Sequence, residues 1–122
     1  MSNFVDDNER VYVSAKGVSD SLPDEGIEYI AIRTDLSLGE MTRLQSLAVS
    51  IDKAGNPEAR IEEFLSACNE VAIVDWFLKG RDGQPVPYSR ASVKKLSTNS
   101  PLVDQALREF SIRNPTLSRR RT

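Results

Sequence analysis

Apolar positions along this chain follow two periods, and the change between them sets the expected elements. Val11 and Val13 alternate with Tyr12, so Arg10 to Val13 predicts a short strand with its valines on one face. Ile27-Glu28-Tyr29-Ile30-Ala31-Ile32-Arg33 is dense in β-branched and aromatic residues and bounded by Gly26 and Asp35, which predicts a second strand. The two strands should pair. A two-stranded ribbon is marginal in water, so it must pack on helices or on another chain. Between them, Gly17 to Gly26 concentrates Gly, Ser, Asp and Pro and reads as a loop.

The period then lengthens. Ser37-Leu38-Gly39-Glu40 fits a capping box, in which the Ser37 hydroxyl accepts from the Glu40 N–H and the Glu40 carboxylate reaches back to the Ser37 N–H. A helix should run from Leu38 to about Asp52, with Met41, Leu44, Ala48 and Ile51 at spacings of three and four and Leu47 widening the stripe. Gly55 suits a left-handed cap. Pro57 then fits the first turn of a second helix, with Asn56 as N-cap and Glu58 near the positive end of its dipole. Ile61, Phe64, Leu65, Cys68, Ala72 and Trp76 keep helical spacing, which extends this helix to about Phe77. Val71 to Val74 with Trp76, Phe77 and Leu78 also fit a buried strand, because short apolar runs are ambiguous.

Arg81-Asp82-Gly83-Gln84 reads as a tight turn. Pro85 and Pro87 prevent a helix and disfavour a central strand, so Gln84 to Tyr88 should be extended and edge-like. Ser89 can cap a short helix containing Val93 and Leu96. Ser100-Pro101 opens a last helix with Leu102, Val103, Ala106, Leu107 and Phe110 as its stripe, and Asn114-Pro115 ends it. These elements predict an α+β, mainly helical fold, with a short N-terminal β element and about four helices. The single domain should span 10–114, between a flexible N-terminus (1–9) and a flexible basic tail (115–122).

Composition narrows the function. The 122 residues suit one domain with a modest core. A formal charge of −2 gives no overall case for nucleic-acid or membrane binding. Asp6, Asp7 and Glu9 make one end acidic, and Arg113, Arg119, Arg120 and Arg121 make the other basic. Solvated tails are the plain interpretation; docking of the basic tail on an acidic partner or nucleic acid is the sharper one. No charged, apolar leader opens the chain, and no apolar run approaches about 18 residues, so neither secretion by signal peptide nor membrane spanning is expected. The lone Cys68 allows no internal disulfide and sits on an apolar face, where a small buried hydrophobe is expected. There is no histidine, which removes the commonest general base and the commonest transition-metal ligand. No paired carboxylates stand in an apolar context. The expectation is a protein that is not an enzyme and uses no cofactor or metal.

The most informative stretch is Val71 to Ser97. It places large apolar side chains, then a tight turn, then an extended strip that can lie back over them. Trp76, Phe77, Leu78, Val86 and Tyr88 are therefore the candidate partner-binding residues. Trp76 suits either a core plug or an interface anchor. Phe77 and Leu78 cannot face one core with it on a single helix, so they have the better claim to exposure. Arg81, Arg90, Lys94 and Lys95 could line a basic surface beside the turn, for which a solvated face is the plain alternative. Gly80 and Gly83 do not complete a phosphate-binding P-loop pattern.

The order of Ile-Glu-Tyr-Ile-Ala-Ile-Arg (27–33), the capped Leu-Ser-Leu-Gly-Glu-Met start (36–41), an amphipathic helix ending near Trp76, and the Asp-Gly-Gln-Pro-Val-Pro turn (82–87) resembles the tail assembly chaperones of long-tailed bacteriophages of the siphophage type. The likeness spans roughly 27–112 and rests on element order and one junction. It implies a protein that binds the helical tape measure protein stoichiometrically, keeping it soluble and extended until the tail tube polymerises around it. The major tail tube protein is a second candidate partner, and self-association would strengthen the coat. The resemblance further implies action in the host cell cytoplasm, absence from the mature virion, and a longer frameshifted companion form. Two other functions fit the same sequence: a head–tail connector or tail-completion subunit, and a small nucleic-acid-binding regulatory module.

Overall fold

Alternating burial along Arg10–Ser14 (β1) puts Val11 and Val13 in the core and leaves Tyr12 on the other face. A computed structural model describes residues 9–53, 67–97 and 99–114, with the backbone alone for 47–53. Strand β1 turns through Ala15 and Lys16 into β2, Gly17–Ser19, and pairs on its other side with β3, Tyr29–Arg33, both antiparallel. The expected loop from Gly17 thus begins as a strand. Its hairpin needs one positive dihedral, and this falls on Gly17 at φ +114°. The Ser14 hydroxyl accepts from the Lys16 N–H to close the turn.

A fourth strand, β4, covers Ile73–Phe77 and pairs antiparallel with β3, so the sheet order is β2-β1-β3-β4. This corrects two expectations. Helical backbone ends at residue 72 rather than near Phe77, and the β structure is not confined to the N-terminal part of the chain. The physical reason lies in β3. Its Ile30, Ala31 and Ile32 are fully buried, as in a strand flanked on both sides, and β1 supplies only one flank. β-Branched Ile73 and Val74 with aromatic Trp76 and Phe77 supply the other. The fold is therefore a small mixed α+β domain with a four-stranded antiparallel sheet and helical segments.

The register of β3 and β4 shifts between Ala31 and Ile32, where Ala31 faces Asp75 and Ile32 faces Ile73. Val74 is the extra residue of this bulge. It lets both Ile73 and Trp76 face the core, three positions apart, which strict alternation forbids.

Helix α1, Leu38–Lys53, begins at the expected capping box: the Ser37 N–H donates to Glu40 Oε1 at 3.0 Å and the Glu40 N–H to Ser37 Oγ at 3.2 Å. Glu40 also pairs with Arg33, tying the helix start to the end of β3. Leu44 is buried and Met41 packs beside it. The expected stripe residues Leu47, Ala48 and Ile51 have side chains outside the described set. So do Gly55, Asn56, Pro57, Glu58, Ile61, Phe64 and Leu65, and both terminal segments (1–8 and 115–122). The described part of α2 is 67–72, which buries Ala67, Cys68, Val71 and Ala72.

A short helix, α3 (Arg90–Val93), is capped by Ser89, whose hydroxyl accepts from the Ser92 N–H. Helix α4, Pro101–Arg113, is capped by Ser100 and lies across β3 and β1. Its Val103, Ala106 and Phe110 meet the inner sheet residues Val11, Val13, Ile30, Ile32, Ile73 and Trp76 in one core. Asn114 ends it, buried, with its side-chain amide donating to the Phe110 carbonyl at 3.0 Å.

Candidate functional site

Chain direction reverses immediately after β4. Gly80 N–H donates to the Gln84 carbonyl at 2.9 Å and Gly83 N–H to the Gly80 carbonyl at 3.0 Å. Asp82 Oδ1 accepts from the Gln84 N–H, and Gly83 takes φ +78°. The returning strip runs against the strand exit, with Lys79 and Pro85 in an isolated antiparallel bridge. Proline lacks an N–H, so Pro85 and Pro87 cannot extend a ladder here. The only amide of 85–87 able to donate is that of Val86, which reaches the Leu78 carbonyl at 2.8 Å.

Side chains complete the closure. Trp76 Nε1 donates to the Val86 carbonyl at 2.7 Å. The Tyr88 hydroxyl donates to the Ile73 carbonyl at 3.1 Å, and its ring meets the indole edge-on at 5.3 Å between centroids. The strip thus lies back over Trp76, as the junction predicts, and bonds to the backbone at the two ends of β4.

A groove of about 860 Å³ opens beside this strap. Its apolar wall is formed by Trp76, Leu78, Val86, Leu96, Leu102 and Val103. Arg81, Lys95 and Glu28 stand at its polar margin; Lys79 also lines it, but its ammonium lies over the Phe77 ring at 5.9 Å. Ser100 caps α4 through the Val103 N–H, fixing the first turn so that Val103 enters the core while Leu102 stays half-exposed at the groove.

We found no match to this chain among protein families, curated proteins or solved structures. The groove is therefore read from its own chemistry. Among the described residues no group of three or more Cys, Asp or Glu could hold a metal ion, and no helix is long and apolar enough to cross a membrane.

The five residues singled out in the sequence divide. Trp76, Leu78 and Val86 line the groove, and Tyr88 braces Trp76 from the strap. Phe77 alternates to the opposite face of the sheet, where Tyr29 packs on it at 6.4 Å and Tyr12 packs on Tyr29 at 5.4 Å. Burial, and next the nearby Asp75 carboxylate, pushes the Tyr29 hydroxyl above its ordinary pKa. Phe77 and Leu78 are both half-buried, less exposed than expected for a helix end. Of the four cations near the turn, Arg81 and Lys95 reach the groove, whereas Lys94 pairs with Glu70 at 3.5 Å and exposed Arg90 opens α3.

The sequence pattern gave no warning of Leu96 and Leu102 as groove residues, because both also fit helical core stripes. The available signal was the adjacent pair Leu102-Val103 at a helix start, since neighbours on a helix cannot both face one core.

Proposed function

We propose that this protein is a bacteriophage tail assembly chaperone that binds the tape measure protein stoichiometrically and keeps it soluble and extended for tail tube polymerisation. The carrying observation is the open apolar groove walled by Trp76, Leu78, Val86 and Leu102 on a braced strap. A tape measure protein awaiting its tube exposes long apolar helical faces, which aggregate unless covered. A groove of this kind takes such a face by its side chains. Many copies along one extended chain gain from high local concentration, so each contact can be weak. The resemblance in the 27–33 strand, the capped start at 36–41 and the turn at 82–87 supports the same function, although the helix ending near Trp76 that was part of it is replaced by strand β4. On this proposal the protein acts in the host cytoplasm, needs no cofactor and leaves before the virion is complete.

The test is co-expression with the tape measure protein encoded in the same genome, followed by sizing and subunit counting of the soluble fraction. A soluble complex with many copies of this chain per tape measure protein is the expected result. An insoluble tape measure protein, with this chain alone in solution, and the same result for a frameshifted longer form, overturns the proposal.

A further inference from the structure

We infer that the groove takes an amphipathic helix whose apolar anchors are flanked by carboxylates, so that the segment of the tape measure protein it covers is an acidic-edged helix. This rests on the chaperone function proposed above and adds the chemistry of the segment. Two observations carry it.

The first is that the strap already engages backbone acceptors at both ends of the outer edge of β4. The Leu78 carbonyl already accepts from Val86, the Ile73 carbonyl from Tyr88, and the Val86 carbonyl from Trp76. An extended peptide adding as a strand would have to compete with the strap for these acceptors and with its side chains for the space beside them. An occupant whose backbone bonds are satisfied internally needs only the apolar wall, and an amphipathic helix meets that requirement.

The second is the charge at the margin. Arg81 and Lys95 are exposed there, and among the described residues neither has a carboxylate partner, whereas the Lys79 ammonium lies over the Phe77 ring at 5.9 Å, on the other face of the sheet. The single acid, Glu28, turns one carboxylate oxygen to the Lys79 backbone N–H at 2.7 Å and keeps its charge, which offsets one of the cations. Two cations against one acid beside an apolar floor favour an occupant with carboxylates beside its anchors and disfavour one with lysines there. The Arg-rich end of this chain, Arg119 to Arg121, carries the wrong sign for the site.

The test uses the full chain and two synthetic helical peptides of about 18 residues, with leucines at spacings of three and four and either Glu or Lys flanking them. The Glu-flanked peptide should bind about tenfold tighter than the Lys-flanked one at low salt. Added salt should narrow that gap. The double variant Arg81→Glu, Lys95→Glu should reverse the preference; both side chains are exposed, so an unchanged melting curve will show that the fold is kept. Leu102→Ala should weaken both peptides alike.

Equal binding of the two peptides, a preference for the Lys-flanked one, or binding of neither overturns the inference. A shift in oligomeric state on Leu102→Ala with no peptide binding would assign the groove to a second copy instead. Capture of the tape measure protein without discrimination between peptides removes this inference and leaves the chaperone function. Discrimination between peptides without capture of the tape measure protein keeps the groove's preference for an acidic-edged helix and removes the chaperone function, and with it the tape measure protein as the source of that helix.

Discussion

The indole N–H of Trp76 donates to the carbonyl oxygen of Val86 at 2.7 Å, joining a core side chain of β4 to the backbone of the proline-bounded strap. Neither proline can donate to a ladder, so this bond and Val86 N–H to Leu78 hold the strap's middle. Trp76→Phe keeps an aromatic ring but removes the donor. It should cost about 1–3 kcal/mol, since the Val86 carbonyl loses its partner and a smaller ring fills the site. Amide exchange at Val86 should accelerate more than at Ile32. A urea midpoint and a Val86 exchange rate both equal to wild type would show that the bond does not hold the strap.

Strand alternation separates two neighbours that the sequence grouped together. Leu78 lines the groove, whereas Phe77 lies on the opposite sheet face against Tyr29. Leu78→Asp should weaken capture of the tape measure protein, while Phe77→Asp should leave capture intact and lower stability through the Tyr29 contact. Trp76→Asp should cost more than either, about 3–5 kcal/mol, because Trp76 is buried beneath the strap. Pull-down and chemical unfolding of the three variants provide the measurement. Equal loss of capture by Phe77→Asp and Leu78→Asp, both still folded, would remove the division between faces.

The helix expected through Phe77 gives way to the alternative strand from Ile73 onward, and this has a physical cause. Cys68, Ala72 and Trp76 recur every four residues, and Ile73 and Trp76 are three apart, so the run mimics a helical stripe. The bulge at Val74 produces that spacing inside a strand. What decides the matter is the open side of β3, a tertiary fact that local periodicity does not carry. Strand β2 was invisible for a different reason: Gly-Val-Ser is too short to alternate and forms because β1 offers it an edge. By contrast, the Ser37–Glu40 box, the Ser89 and Ser100 caps and the α4 stripe were legible, because each is local chemistry between residues a few positions apart. The strap's return over Trp76 was legible in outline from its prolines. The groove was not, since Leu96 and Leu102 approach Trp76 only through the fold.

Stability should fall at acid pH through the α1 cap. Burial pushes the Glu40 carboxyl up, but the bonds from Ser37 and the Arg33 guanidinium outweigh it and hold the group below its ordinary 4.5. A depressed folded pKa contributes stability that is complete above 4.5 and is lost as pH falls through the lower folded value. Glu40→Gln should flatten this part of the pH profile, and Ser37→Ala should cost about 1 kcal/mol at neutral pH. Unfolding midpoints of Glu40→Gln that decline with acid as steeply as wild type would place the effect elsewhere.

Cys68 gives the opposite slope at the alkaline end. Burial pushes its thiol from 9.0 up to about 11. The folded state therefore keeps a proton that the unfolded chain releases, so stability is complete below pH 9.0 and declines as pH rises towards about 11. The raised Tyr29 hydroxyl acts in the same direction. Native protein should alkylate slowly with a thiol reagent near neutral pH and rapidly once unfolded in urea. Cys68→Ala should reduce the alkaline decline without abolishing it. Fast alkylation of the native protein at a rate matching the unfolded chain would show that the thiol is not enclosed.

Gly83 carries the last prediction. It sits at φ +78° in the turn between Leu78 and Val86, and a Cβ added there would meet no atom within 4 Å. Any cost of Gly83→Ala is therefore backbone strain rather than collision. An L-residue in this left-handed region costs about 1–2 kcal/mol, and Asn, which tolerates it better, should cost less. The strain acts on the turn that delivers Val86 to Trp76. Gly83→Ala should lower the unfolding midpoint and loosen the strap together, with Gly83→Asn intermediate in both. A Gly83→Ala variant as stable as wild type, with Val86 exchange unchanged, would mean that the turn can redistribute its dihedrals without disturbing the bond to Trp76.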